Sequence, residues 1–410
     1  MATLASDMQA IDPYDVSRAE LYRDDLWQAP FRELRARAPV HRVEHSDFGP
    51  YWAISTYKPI VHVESLPDLY SSQAGGITIA DFIEDRGDVR MPMFIAMDRP
   101  KHTGQRRTVA PAFTPSEMTR MTDYIRARTA EILDGLDWNT RFDWVDRVAI
   151  ELTTQMLAIL FDFPWEDRRK LTFWSDWAGD IELVKTAELR AQRLQYMYEC
   201  GGYFQTLWNQ KVGKAPTPDL ISMMIHSDAM AEMDQMEFLG NLILLIVGGN
   251  DTTRNTMSAV AYGLDLFPDE RAKLEADPAL IANTVQEIIR WQTPLAHMRR
   301  TATADAELEG QRIAAGDKVI LWYLSANRDE SVFADADRII VDRPNARRHL
   351  AFGHGIHRCV GARLAELQVA VLLEEMARRR MRVNVLGEPE RVAQCFVHGY
   401  RKLPVEISRY

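Results

Sequence analysis

The sequence predicts a mainly α-helical protein with small β-sheets near its two ends. Between about residues 96 and 380, apolar residues mostly recur at the spacing of helices, whereas short runs rich in β-branched and aromatic residues occur in the first ~95 residues and at the C-terminus. No repeat, low-complexity stretch or Gly/Ser-rich linker interrupts the chain. We therefore expect one domain over 1–410, with a mixed α/β part at about 1–95 and a helix-rich part at about 96–410 that ends in β structure.

The N-terminal part contains a predicted hairpin and a long loop. Residues 39–43 and 51–55 have the composition of two strands, with Gly49-Pro50 near the turn. Residues 72–96 are polar, contain Gly75-Gly76, and are predicted to form a loop. Loops of that length in compact domains usually serve a function.

Helical periodicity is strongest in three later segments. Residues 236–267 form the longest helical candidate, followed by 280–291, and a third helix is predicted from Gly361 to about Arg380. Residues 307–324 have the pattern of a hairpin, with Gly316-Asp317 in its turn.

Composition excludes several classes of protein. The net charge of -10 provides no broad basic field for nucleic acid. Three scattered cysteines are too few for a disulfide framework, which favours a reducing cytoplasm. The N-terminal residues lack the apolar core of a signal peptide, and the longest apolar run, 242–247, is far shorter than the ~20 residues of a membrane span.

The segment from Phe352 to Gly361 has the features of a loop that holds a thiolate beside a flat ligand. Gly353, Gly355 and Gly361 let the backbone approach a flat ligand. Cys359 precedes a predicted helix, whose N-terminal amides favour a thiolate, and a thiolate on haem iron promotes cleavage of dioxygen. A lone cysteine in such a turn is more often a core residue, but the complete pattern favours the ligand; zinc would require a second cysteine at ligand spacing.

A second pattern, Gly248-Gly249-Asn250-Asp251-Thr252-Thr253, lies in the middle of the longest helix. Two glycines destabilise a helix by about 1 kcal/mol each relative to alanine, and hydroxyls that bond back to the preceding turn can open it. Such an opening would give dioxygen room beside a hydroxyl and a carboxylate. The alternative, a loop between two shorter helices, stays open.

Two pairs of charged residues complete the pattern. His102 and Arg106 are one helical turn apart and can reach the same anionic group, although a solvated basic helix start is the alternative. Glu287 and Arg290 share a helix face and can form an ion pair, which alone is weak support for any function.

Taken in their order along the chain, these segments resemble those of the cytochrome P-450 superfamily of haem-thiolate monooxygenases. The resemblance extends from about Pro39 to the end of the chain. The resemblance implies a triangular helical domain whose long central helix crosses the distal face of haem b. It implies Cys359 as the proximal iron ligand, Phe352 packed near its sulfur, and Gly353 and Gly361 in the surrounding loop.

The resemblance also assigns roles to the other motifs. It implies that Thr252 lies beside dioxygen, that Asp251 belongs to a proton relay, and that Gly249 contacts the cofactor. Glu287 and Arg290 form a structural pair with Arg338 as their third partner, although the segment at Arg338 lacks the usual Pro and Phe. The residues implied to bind the haem propionates are His102, Arg106, Arg300 and His357, the last in place of the usual arginine.

Residues 75–79, 94–98 and 239–255 look like the bacterial, ferredoxin-dependent subfamily of terminal alkane and fatty-acid hydroxylases. That implies oxygen insertion at the methyl end of a linear chain, where a narrow channel must provide the selectivity. The candidate residues of the apolar substrate pocket are Ile77, Met93, Leu244, Val247, Ala296, Met298 and Phe396.

Other functions remain as alternatives. A hydroxylase of steroids or terpenoids would need a broader cavity. The Asp251-Thr252 pair counts against a peroxygenase and against a haem-thiolate sensor. No flavin- or nicotinamide-binding fingerprint follows Cys359, so the resemblance implies electrons from a ferredoxin and its reductase. The predicted basic docking patch contains Arg106, Arg107, Arg347, Arg348, Arg358 and Arg363.

Overall fold

The computed structural model describes residues 12–86 and 88–410. The predicted absence of a signal peptide falls largely on residues 1–11, outside the described residues, and the assignment of 1–410 to one domain stays a prediction. The mainly helical class with small sheets is confirmed. In the described part of the chain, no helix is both long and apolar enough to span a bilayer.

The α-helices follow one another along the chain as α1 Ala19–Arg23, α2 Gln28–Arg37, α3 Tyr57–Ser65, α4 Lys101–Val109, α5 Pro115–Asp134, α6 Glu151–Phe161, α7 Arg169–Gly179, α8 Ala187–Lys211, α9 Leu220–Ile225, α10 Gln235–Leu266, α11 Pro268–Ala276, α12 Ile281–Gln292, α13 Tyr323–Ala326 and α14 Ala362–Arg378. The strands are β1 Val40–Val43, β2 Tyr51–Ile54, β3 Tyr70–Ser71, β4 Phe142–Asp143, β5 Met298–Ala302, β6 Ala306–Leu308, β7 Gln311–Ile313, β8 Lys318–Leu321, β9 Met381–Val385, β10 Glu390–Arg391, β11 Tyr400–Lys402 and β12 Pro404–Arg409.

Helix α10 is the central element and confirms the predicted long helix. Its first turn is capped by the Asp234 side chain, which accepts the Glu237 amide at 2.8 Å, and it ends just before Pro268. It packs against α6, α7, α8, α12 and α14. Because the helix is continuous through Gly248 and Thr253, the alternative of two shorter helices is wrong.

The largest sheet has the strand order β1-β2-β8-β5-β3. The predicted hairpin of β1 and β2 is confirmed, with Val40 opposite Ile54 in an antiparallel register. Strand β8 pairs in parallel with β2 and antiparallel with β5. Near the C-terminus, β4, β12 and β9 form a second sheet.

The prediction of a single hairpin over 307–324 is wrong. Strands β6 and β7 pair through a tight turn at Glu309 and Gly310, whose φ angles are 49° and 76°. The turn at Gly316 (φ 89°) instead leads the chain into β8, which joins the larger sheet. The two-residue turn closes the hairpin early because both of its residues adopt the left-handed conformation.

Candidate active site

A cavity of about 730 Å³ lies between α10 and the segment that precedes α14, and the loop between β3 and α4 covers one side. Its walls include sixteen of the residues predicted from the sequence, which are Ile77, Met93, Arg106, Leu244, Val247, Gly249, Asp251, Thr252, Met298, Arg300, Phe352, Gly353, His357, Cys359, Gly361 and Phe396.

The loop that carries Cys359 is held by its own backbone and by α3. The Cys359 amide donates to the Phe352 carbonyl at 2.8 Å. Gly353 and Gly355 have φ angles of 69° and 65°, and a Cβ at Gly355 would collide with the carbonyl oxygen of Glu64. The glycines therefore serve both a left-handed turn and a close approach to α3.

The helix that follows Cys359 lowers the pKa of its thiol as expected, through the Gly361 amide at the helix start, but burial sets the net direction. Burial raises the pKa of the thiol, and this effect outweighs the Gly361 amide and the Arg106 and Arg358 guanidinium groups, which favour the thiolate. A thiol that coordinates a metal ion is deprotonated outright. The site therefore fits a cysteine whose ionisation depends on the iron it binds.

Two neutral histidines provide donors without partners beside the cavity. The rings of His102 and His357 lie 4.3 Å apart, and none of their four nitrogens has a hydrogen-bond partner among the described residues. Burial lowers the pKa of both, that of His102 to about 4, and Arg106 and Arg300 lower the two pKa values further. Because unpartnered buried donors are costly, this corner fits an anionic group such as a haem propionate.

Strand β5 places its two adjacent arginines on opposite faces. The Arg300 guanidinium donates to the Glu64 carboxylate at 3.0 Å, whereas that of Arg299 donates to Asp81 at 2.7 Å. The charge of Arg300 also lowers the pKa of His357, so Arg300 lies near the predicted propionate ligands His102 and His357. This arrangement supports Arg300 rather than Arg299 as the candidate for haem binding.

Sequence reasoning missed Glu64, which organises this corner. Its carboxylate also accepts the Tyr323 hydroxyl at 2.6 Å and the His354 amide at 2.8 Å. Burial raises its pKa despite these bonds. The available signal was its place one turn after Ile60, on the buried face of α3, where a carboxylate requires buried partners.

Thr252 and Gly249 face the cavity from the middle of α10. The Thr252 hydroxyl donates to the Gly248 carbonyl at 2.8 Å, which occupies one backbone acceptor without breaking the helix. A Cβ at Gly249 would lie 2.7 Å from a methyl group of Leu157, so glycine allows α6 to pack closely there. A hydroxyl at the cavity wall can donate and accept protons.

Asp251 connects the cavity to the protein surface. Its carboxylate accepts bonds from Ser175 at 2.8 Å and Arg254 at 3.1 Å, and the same Arg254 group donates to Asp176 at 2.8 Å. Asp176 is 45% exposed. Burial raises the pKa of Asp251 to about 6, although Arg254 opposes the shift. Such a carboxyl group can bind and release protons near neutral pH. The sequence did not predict Ser175, Asp176 or Arg254.

The Glu287–Arg290 pair is confirmed in geometry but has a different third partner. Both guanidinium contacts within the pair measure 2.8 Å, and both side chains are fully buried. The third partner is Arg343, which donates to Glu287 at 2.9 Å, not Arg338. Arg338 contributes only its carbonyl to Arg290, while its side chain pairs with Asp269 near the surface.

The predicted apolar pocket needs one correction. Ala296 is fully buried in the core and does not line the cavity, whereas its neighbour Leu295 does. The Ala296 amide donates to the Phe396 carbonyl at 2.8 Å, and its carbonyl accepts from Leu324. These bonds fix the local backbone so that Leu295 and Met298 face the cavity.

Basic residues follow both flanks of the Cys359 loop. Arg106 is half-buried and donates to the Arg358 carbonyl. Five exposed arginines have no ion pair within 4.0 Å among the described residues, and these are Arg107, Arg347, Arg348, Arg358 and Arg363. Their charges are available to an acidic partner.

The Cytochrome P-450 family profile matches residues 139–381. The structure superposes on that of CYP153D17 from Sphingomonas sp. PAMC 26605 with a TM-score of 0.94 and 87% identity, covering 97% of this chain and all of the other. Linalool 8-monooxygenase of Pseudomonas putida is 34% identical, over 96% of this chain and 98% of its own. A methyl-branched lipid omega-hydroxylase of Mycobacterium bovis is 33% identical, over 94% and 92%.

Proposed function

The chain belongs to the cytochrome P-450 family, and from that premise we propose that it hydroxylates linear alkanes or fatty acids at their methyl end. It is a haem-thiolate monooxygenase that uses haem b, dioxygen and an external source of electrons. A haem held by the Cys359 thiolate would supply the activation of dioxygen, of which one oxygen atom enters a C–H bond of an apolar substrate and the other leaves as water with two electrons and two protons.

In this proposal Cys359 holds the iron, and His102, Arg106, Arg300 and His357 hold the propionates. The neutral imidazoles would donate hydrogen bonds, while the arginines would neutralise charge. Thr252 would deliver a proton at its hydroxyl oxygen.

Asp251 would replace that proton, because its raised pKa allows exchange near neutral pH. Arg254 stays protonated and would only hold the Asp251 carboxylate close to Asp176, which reaches the solvent.

The observation that carries the substrate assignment is the apolar wall of the cavity beyond Thr252. Haem would take part of the 730 Å³, and the wall on the side of Thr252 includes branched, thioether and aromatic side chains. Leu244, Val247, Leu295, Met298 and Phe396 offer no charge to a substrate. A linear hydrocarbon would be held there by desolvation, and the carbon atom that is hydroxylated would be the one at the chain end that reaches the Thr252 side of the cavity.

The names of two relatives favour different substrates. The omega-hydroxylase favours attack at a chain end, while the linalool 8-monooxygenase favours the second candidate, a terpenoid. Spectral titration of the haem-loaded protein with n-alkanes, fatty acids, linalool and a steroid separates these candidates, followed by identification of the products. Terminal alcohols from linear chains support the proposal, and tight binding of the steroid or linalool alone would refute it.

A ferredoxin with its reductase is the proposed electron donor. The exposed arginines on the flanks of the Cys359 loop carry charge that an acidic ferredoxin would complement. We also propose that the protein resides in the cytoplasm. None of its three cysteines forms a disulfide, which suits a reducing compartment.

A further inference from the structure

Three separate segments form one side of the cavity. Ile77 lies on the loop between β3 and α4, Met298 begins β5, and Phe396 lies on the turn between β10 and β11. The segments are far apart in sequence, so their spacing depends on tertiary contacts. That spacing sets the width of the cavity on this side.

Individual backbone hydrogen bonds each join two of these three segments. The Arg299 amide donates to the Ile77 carbonyl at 2.8 Å, which joins the loop to β5. The Ala296 amide donates to the Phe396 carbonyl at 2.8 Å, which joins the residues before β5 to the turn.

The side chain of His297 contacts both outer segments, the loop after β3 and the turn before β11. The Ile79 amide donates to its Nε2 at 3.2 Å, and its Nδ1 lies 2.8 Å from the Cys395 carbonyl. An amide only donates and a carbonyl only accepts, so the partners require a neutral ring with its proton on Nδ1. Burial keeps the pKa of His297 low, at about 4, so the ring is neutral at pH 7.

Aromatic contacts fix the plane of the ring. The His297 ring packs edge-to-face against the rings of Trp322 and Phe396, with ring centroids 4.8 Å and 5.2 Å apart. Phe396 is itself part of the cavity wall, whereas His297 is fully buried and does not border the cavity. The histidine can therefore act on a substrate only by placing other residues.

We propose that His297 is a positioning residue for chain-end selectivity, because it holds Ile77, Met298 and Phe396 at the spacing that presents only the end of a substrate. The proposal rests on the proposed terminal hydroxylation. The two hydrogen bonds of His297, to Ile79 and to Cys395, are called the clamp; they hold the loop and the turn against the segment that enters β5. Loss of the clamp widens this side of the cavity. A wider channel admits carbon atoms next to the chain end.

Other contacts anchor the same loop, so removal of the clamp should loosen the wall without unfolding the protein. Lys318 donates to the Ile79 carbonyl at 3.0 Å and to Asp81 at 2.8 Å, and Arg299 also donates to Asp81. Lys318 lies on β8, independently of His297.

The test compares His297→Leu, which removes both bonds, with His297→Gln, whose amide can accept from Ile79. In the haem-loaded enzyme fed with a linear substrate, the ratio of terminal to subterminal alcohol should fall by at least roughly fivefold in the leucine variant, the factor that corresponds to the net contribution of one of the two hydrogen bonds. The glutamine variant should recover part of the ratio. An unchanged ratio in the leucine variant overturns the proposal.

A matched control is His226→Leu. The His226 ring likewise contacts two backbone groups, here the carbonyls of Ser222 at 2.8 Å and Lys214 at 3.1 Å, and it does not border the cavity. This variant should keep the wild-type product ratio. An equal change in both variants would indicate a general loss of stability and would refute the specific role of His297.

Hydrogen exchange of the segment 75–81 separates this proposal from the proposed function. If wild type makes no terminal alcohol, terminal hydroxylation is wrong, and the clamp is judged by exchange alone. Faster exchange at Ile79 in His297→Leu supports the clamp, and unchanged exchange refutes it. If the leucine variant does not fold, His297→Gln and His297→Asn allow the same two measurements.

Discussion

The carboxylate of Glu64 lies 3.0 Å from the guanidinium of Arg300, with both side chains almost fully buried. The same carboxylate accepts the His354 amide, so one side chain joins the candidate propionate ligand on β5 to the loop of Cys359. The position of Arg300 is therefore coupled to the position of the iron ligand through α3.

Glu64→Leu should reduce haem retention and lower the free energy of unfolding by roughly 3–5 kcal/mol, because it leaves a buried cation without its partner. Glu64→Gln, which keeps an acceptor oxygen, should have a smaller effect. Haem loss to a scavenger protein and denaturant unfolding measure the two quantities. The control Arg312→Gln breaks an exposed pair with Asp305 and should leave both unchanged. Equal haem loss in all three variants would contradict this coupling.

The corrected third partner of Glu287 gives a direct comparison. Arg343→Gln should lower the free energy of unfolding by roughly 3–5 kcal/mol, since its guanidinium is buried against Glu287. Arg338→Gln should lower it by no more than about 1 kcal/mol, because its pair with Asp269 is exposed. Denaturant unfolding of the two variants measures the difference. If Arg338→Gln proved the more harmful change, the assignment of Arg343 would be wrong.

Thr252→Ala should separate oxygen consumption from product formation. Without the hydroxyl that now bonds to the Gly248 carbonyl, the product formed per electron should fall by at least about tenfold, with release of hydrogen peroxide. Thr252→Ser keeps the hydroxyl and should stay close to wild type. Product and peroxide are measured against consumed reductant. Unchanged coupling in the alanine variant would favour the peroxygenase alternative.

The raised pKa of Asp251 predicts a dependence of stability on pH. Burial raises this pKa from 3.8 to about 6 in the folded protein. Between those values the unfolded chain has lost the proton that the folded protein retains, so a rise in pH lowers the free energy of unfolding.

The difference in that free energy between wild type and Asp251→Asn should therefore decrease from about pH 4 to about pH 6 and then level off. Denaturant unfolding at a series of pH values measures the difference for both proteins. An increase of wild-type stability relative to the variant over this range would show that Arg254, not burial, dominates the pKa.

Reduction by an acidic ferredoxin should slow by about tenfold as ionic strength rises, because screening weakens steering by the exposed arginines. Arg363→Gln should show a slower rate at low salt and a weaker dependence on salt than wild type. Arg312→Gln, whose charge is already paired with Asp305, serves as the control. Stopped-flow measurement of haem reduction provides the rates, and a rate insensitive to salt in wild type would rule out this docking surface.

Local features of the sequence determined the helices and the order of the motifs. The long helix α10 could be predicted because its apolar spacing, the Asp234 cap and Pro268 all lie within the segment itself. The glycines around Cys359 likewise encode a local turn, since their conformations depend on the absence of a side chain. The identity of Cys359 and Thr252 as site residues followed from these patterns together with the resemblance.

Only the tertiary structure decided which distant groups meet. Arg338 and Arg343 are equally plausible partners of Glu287 by residue type, and the path of the chain after α13 selects Arg343. The same applies to the bond between Glu64 and Arg300 and to the two contacts of His297. Side-chain type determines which bonds are possible, but their formation depends on how elements far apart in sequence pack, and no local pattern contains that information.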